Sequence, residues 1–89
     1  MTVLWSMQAA SELKAVPETD RKPETANRIR RAIYERVQSL RSLPYLASPG
    51  RVENTRELVI TGTPYLVVYR VSEDGIVILN VLRGARQSP

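Results

Sequence analysis

Apolar residues recur at spacings of three and four through Ala26, Ile29, Ile33, Val37 and Leu40, which places them on one side of an α-helix. The stripe predicts a helix from near Pro23 to about Leu43. Pro23 suits a first turn because the amide it lacks would be unbonded there anyway, and Glu24 lies at the positive end of the helix dipole. Upstream, Thr2–Ser6 reads as a short strand with Val3 and Trp5 on one side and Leu4 on the other. A first helix follows from about Met7, carrying Ala9, Ala10, Leu13 and Val16, and Pro17 stops it. The polar, breaker-rich stretch Pro17–Pro23 is the turn between the helices.

Beyond the connection Pro44–Gly50 the period changes. Arg56–Ile60, Tyr65–Val71 and Ile76–Leu82 are rich in β-branched and aromatic residues and predict three strands. Thr61-Gly62-Thr63-Pro64 supplies turn chemistry between the first two. Ser72-Glu73-Asp74-Gly75 predicts a tight hairpin between the second and third, since Asp-Gly tolerates positive φ. The order is β-α-α-β-β-β. It predicts an α+β fold, with a helical hairpin on one face of a mainly antiparallel sheet. No repeat or low-complexity tract interrupts it.

The 89 residues, 43% of them hydrophobic, suffice for a single domain spanning 1–89; a core of this size buries only about 60% of the unfolded surface. Neither Cys nor His is present. That removes thiolate chemistry, disulfides, the usual general base near neutral pH and the commonest metal ligands, so neither a cofactor nor a metal is expected. Residues 1–16 are too polar for a secretory leader, and the apolar runs Tyr65–Tyr69 and Ile76–Leu79 are far shorter than the ~20 residues of a membrane helix. The expectation is a soluble, cytoplasmic protein that does not engage a membrane.

Net charge is +4, and of thirteen basic residues only Lys14 and Lys22 are Lys; the other eleven are Arg. Arg presents a rigid fork of donors matched to carboxylate and phosphate. An anionic partner surface is therefore expected. The aromatic residues do not interleave with basic ones, as a single-strand nucleic-acid platform requires.

Several segments, taken in order, carry a resemblance. They are Trp5 on the first strand, Lys22-Pro23-Glu24-Thr25-Ala26, the exit Leu40 to Pro44, Gly50-Arg51, Thr55-Arg56-Glu57-Leu58, Pro64 to Val71, and Ile78 to Arg86. Together they resemble the RelE/ParE toxin superfamily, its plasmid-stabilisation members most of all, over nearly the whole chain. The turn between the helices is a residue or two shorter than in the family. The resemblance implies the toxin of a type II toxin–antitoxin system, neutralised by a cognate antitoxin that is small, acidic and ParD-like.

The superfamily divides by activity. Its RelE branch cleaves messenger RNA on the ribosome, and its ParE branch is associated with inhibition of DNA gyrase. RNA cleavage needs a base for the ribose 2′-hydroxyl, cations for the phosphorus and an acid for the leaving oxygen. In the RelE branch this falls to lysines on the strand before the central hairpin, an Arg beside the Tyr that opens the next strand, and a C-terminal Arg with a Tyr or His. Here the lysine positions hold Glu57 and Val59, and the hairpin position holds Leu66. Arg86 matches the C-terminal Arg, but no Tyr or His follows it. Arg86 is thus the sole catalytic candidate. The resemblance implies a gyrase-directed, non-enzymatic toxin; the alternatives are an RNA endonuclease acting on ribosome-bound message and a harmless partner of an antitoxin.

Strand alternation places Glu57, Val59, Leu66, Val68 and Arg70 on one sheet face, and Leu58, Ile60, Tyr65, Val67 and Tyr69 on the other, beneath the helices. Two layers cover only one face. The first set is then an apolar surface with a charged rim, expected to bind the antitoxin. Arg51, Arg56, Arg83 and Arg86 are expected to cluster at one end of the sheet and bind the target.

Overall fold

In the computed structural model, which describes residues 1–16 and 23–84, the chain forms strand β1 (Val3–Trp5), helices α1 (Met7–Ala15) and α2 (Pro23–Ser39), and strands β2 (Ser48–Pro49), β3 (Arg56–Val59), β4 (Tyr65–Ser72) and β5 (Gly75–Arg83). The sheet order is β1-β5-β4-β3-β2. All neighbours are antiparallel except β1, which runs parallel to β5. The expected α+β layering is therefore present, with one strand more than the sequence suggested. The two-residue β2 lies inside the connection Pro44–Gly50, too short to show a period. Among the described residues no helix is long and apolar enough to cross a membrane.

Every residue of the α2 stripe, from Ala26 to Leu40, is buried, as are Leu58, Ile60, Tyr65, Val67 and Tyr69 from the sheet. All of these but Ala26 form one core between the layers together with Val16, Ala9 and the β5 residues Ile76, Ile78 and Val81. Val3 and Trp5 pack against it while Leu4 is exposed, the alternation expected of β1. The Trp5 ring stacks with Tyr34 at 6.5 Å between centroids. The turn expected over Pro17–Pro23 lies outside the described residues except for Pro23, which opens α2.

α2 ends at Ser39, four residues before the expected limit. The Ser39 hydroxyl donates to the Arg36 carbonyl at 2.6 Å, a local bond that competes with the helical ladder. Tighter turns then follow, with Leu40 N–H on Val37 O and Arg41 N–H on Gln38 O. Leu40 stays buried but Leu43 does not.

Ser6 caps α1 by accepting from the Ala9 amide at 3.0 Å and donates its hydroxyl to the Leu79 carbonyl on β5 at 3.1 Å. Leu79 is an extra residue in β5: Val68 faces Asn80 and Tyr69 faces Ile78. This bulge shifts the alternation, so that Ile78 and Val81 both face the core. Where β1 has ended, Glu12 on α1 accepts the Val81 amide at 2.8 Å and occupies the open edge of β5.

The hairpin at residues 72–75 is confirmed, with Ser72 paired to Gly75. Its glycine serves a second purpose. Gly75 has φ 146°, and a Cβ there would stand 2.6 Å from the Thr2 carbonyl oxygen, so a side chain would push β1 off the sheet.

Candidate protein-binding surface

The sheet face turned away from the helices is assembled from three aligned strands. Val59, Leu66 and Leu82 lie side by side across β3, β4 and β5, and Glu57, Val68 and Asn80 form the next row. Val59 is 53% exposed and Leu82 40%, whereas Leu66 between them is only 4% exposed. Leu66 thus lies on the expected face but is already buried. It belongs to the folded chain's own packing, because flanking residues on both neighbouring strands shield a side chain on a central strand. The accessible apolar surface is Val59 and Leu82, with half-buried Val68 beside them. Leu82 carried no signal in the sequence reading, because the bulge that sets its face is invisible to periodicity.

The rim of this face departs from expectation in its pairing. Glu57 holds Arg51: the Arg51 guanidinium lies 3.2 Å from one carboxylate oxygen and donates to the other at 3.3 Å, and the Arg51 amide adds a 3.0 Å bond. A residue expected to bind a target and one expected to bind an antitoxin therefore engage each other. The pairing follows from the tight 50–55 loop, where Gly50 N–H bonds Thr55 O at 2.7 Å and Asn54 adopts φ 68°. The loop carries Arg51 back over Glu57. A Cβ on Gly50 would collide with the Thr55 hydroxyl.

Of the four arginines expected to cluster, Arg56 and Arg83 lie apart. Arg56 is opposite Tyr69 and Arg83 is opposite Tyr65. Four residues of β4 and two strand spacings separate them, roughly 16 Å by sheet geometry. Arg83 lies over the Tyr65 ring at 5.6 Å, with an N–H to its hydroxyl at 3.4 Å. Arg86 lies outside the described residues.

Arg56 joins other residues instead. Its guanidinium donates to the Ala47 carbonyl at 2.7 Å and stands 4.8 Å over the Tyr45 ring. With Tyr45, Pro49, Thr55, Arg70 and Val71 it lines a notch of about 410 Å³ at the end of β3. The neighbouring segment 44–47 is held down by Tyr69, whose buried hydroxyl donates to Pro44 O at 2.9 Å and accepts from the Ala47 amide at 3.3 Å. Burial raises the Tyr69 pKa above 10.0, opposed by the Ala47 bond and the Arg56 charge. Arg56 and Arg70, assigned to different partners from the sequence, thus line one notch.

Comparison with known proteins gives a consistent picture. Residues 3–88 match the model of the ParE toxin of the type II toxin–antitoxin system parDE. The chain is 36% identical over 90 residues to a Sinorhizobium fredii (strain NBRC 101917 / NGR234) protein provisionally named toxin Y4kP, covering 98% of this chain and 92% of that one. Its fold is similar to a chain of the chromosomal ParDE system from P. aeruginosa, with TM-score 0.83, 27% identity, and 94% and 96% of the two chains covered. It is also similar to a chain of the RelBE2 toxin–antitoxin complex from Mycobacterium tuberculosis, with TM-score 0.71, 27% identity, and 92% and 95% covered. The helical hairpin, the mixed five-stranded sheet and the match along almost the entire length make this chain a member of the ParE toxin family, within the RelE/ParE superfamily of type II toxins.

Proposed function

We propose that this toxin poisons an intracellular protein target, by family resemblance DNA gyrase, rather than cleaving messenger RNA, and that a cognate antitoxin silences it by covering Val59, Val68 and Leu82. The observation that carries the reading is Glu57 in its bond with Arg51. Glu57 and Val59 occupy the positions where the RNA-cleaving branch places lysines, and Leu66 occupies that of an Arg. A carboxylate about 4 Å from a phosphate is opposed by about 4 kcal/mol per pair of unit charges at an effective dielectric of about 20. Arg51 relieves this only by being engaged itself, which leaves no free cation on that row to stabilise charge at phosphorus.

An antitoxin partner is supported by the two structural relatives, which come from toxin–antitoxin systems. The apolar patch with its charged rim has the anatomy of a protein interface. Arg83 and Arg86 remain the cations offered to the target.

Two assays run on the same purified chain test the reading. Supercoiling by DNA gyrase should be inhibited, and message on translating ribosomes should stay intact. Site-specific cleavage of that message with gyrase unaffected would replace this proposal with the endonuclease reading. A chain that arrests no growth when expressed alone would be a harmless antitoxin partner.

A further inference from the structure

Helix α2 carries a pattern that the core does not use. Asn27 and Gln38 each stand three residues before an arginine and accept a bond from it: the Arg30 guanidinium donates to Asn27 Oδ1 at 2.6 Å, and that of Arg41, on the turn after the helix, to Gln38 Oε1 at 3.1 Å. Arg30 and Arg41 are eleven residues apart, close to three full turns, so they share one flank of α2 with roughly 17 Å of axis between them. Tyr34 lies on the same flank, four residues after Arg30, and its ring is backed by the stack on Trp5. Exposed Arg31 borders the line.

The two amides orient their guanidinium groups without cancelling the charge, and each fork keeps further N–H donors. From Glu24 to Arg41 the chain carries five arginines against two glutamates, and among the described residues none of these seven forms an ion pair. The flank also lacks an apolar centre. Tyr34 is the one large apolar side chain that α2 exposes, whereas a protein interface is built around a dry apolar core. Arg, Asn, Gln and Tyr are instead side chains that bond the phosphate oxygens of DNA.

We propose that the α2 flank formed by Arg30, Arg31, Tyr34 and Arg41 binds the phosphate backbone of duplex DNA without reading its sequence. Each feature narrows the ligand. Guanidinium forks in a line select a chain of anions, and phosphate takes paired N–H bonds from such forks. Tyr34 has one ring face committed to Trp5, while single-strand binding needs aromatic faces open for stacking bases. Readers of duplex RNA span about 16 base pairs, much more than this row covers. B-DNA presents a charge about every 1.7 Å of its axis, so a row of roughly 17 Å meets several phosphates. The helices lie on the sheet face opposite the Val59 and Leu82 patch, so a partner on that patch leaves the flank open. Sequence-independent attachment of this kind lets a protein slide along DNA, and it is independent of how the toxin acts.

Fluorescence anisotropy of a labelled twenty-base-pair DNA duplex with the full chain tests this directly. Affinity should fall with salt at a log–log slope of about −2.7, from about 0.9 for each of Arg30, Arg31 and Arg41, and should be the same for two duplexes of unrelated sequence. The double variant Arg30→Gln, Arg41→Gln should bring the slope to about −1 and weaken binding by about tenfold or more at about 50 mM salt, with its unfolding midpoint unchanged. Lysine at both positions should keep the slope, because the contact is with charge. The double variant Arg36→Gln, Arg70→Gln removes equal charge elsewhere and should bind as the parent does. Equal weakening by the two glutamine variants would reduce the effect to net charge and overturn the proposal. So would the absence of binding at about 50 mM salt, tighter binding to single-stranded DNA or to duplex RNA of the same length, or polyglutamate that competes as well as unlabelled duplex.

Discussion

Tyr69→Phe removes one oxygen atom and leaves the ring in place in a fully buried site. The hydroxyl donates to Pro44 O at 2.9 Å and accepts from the Ala47 amide at 3.3 Å. Loss of the first bond costs about 1 kcal/mol. Loss of the second leaves the amide of buried Ala47 without its acceptor, which costs about 1–3 kcal/mol more. Relief from burying a hydroxyl offsets part of this, so the net destabilisation should be about 2–3 kcal/mol. For a domain of this size each 1 kcal/mol moves Tm by about 4–8 °C, giving a fall of roughly 8–24 °C. Thermal unfolding followed by circular dichroism measures it. The pH dependence gives a second reading of the same bond. Burial raises the folded pKa of Tyr69 above its unfolded value of 10.0. In the folded chain the neutral phenol is therefore favoured; its contribution is complete below pH 10 and is lost as pH rises through the folded pKa. The gap in Tm between parent and Tyr69→Phe should accordingly narrow above pH 10. A variant that melts within a degree or two of the parent, or a gap that stays constant into alkaline pH, would refute the assignment of this hydroxyl as the pin of segment 44–47.

Three further outcomes are expected. Gly75→Ala should destabilise by about 2–3 kcal/mol, because φ 146° strains any side chain and the new Cβ meets the Thr2 carbonyl; a denaturant midpoint equal to the parent's would contradict this. Val59→Asp and Leu66→Asp should separate binding from folding. The first, at an exposed position, should keep its unfolding midpoint and lose antitoxin affinity in calorimetry. The second should unfold, since it buries an unpaired charge in the chain's own packing; a stable Leu66→Asp chain would show that the row is open. The double variant Arg83→Ala, Arg86→Ala should abolish growth arrest while leaving antitoxin binding almost intact and moving stability by only about 0.5 kcal/mol; undiminished arrest would place the toxic surface elsewhere.

Much of this molecule was legible before any coordinates, for a physical reason. Which side of its element a side chain occupies follows from the period of that element, so Ala26, Ile29, Ile33, Val37 and Leu40 announced α2's buried side, and alternation sorted Leu58 and Tyr69 from Glu57 and Val68. The Asp-Gly turn and the α+β order were read from the same local rules. Tertiary structure decided where strands stop and how they register. No period shows that β3 begins opposite Tyr69 while β4 continues, that Leu79 bulges, or that two residues in a connection form β2. Those facts determine which charges meet. They keep Arg83 away from Arg56, fold Arg51 onto Glu57, bury Leu66 between Val59 and Leu82, and bring Arg56 and Arg70 to one notch with Tyr45. The side of its element that a residue occupies is a property of its own segment, whereas the neighbours that shield it and the partner of a charge come from different ones, and only the folded chain brings them together.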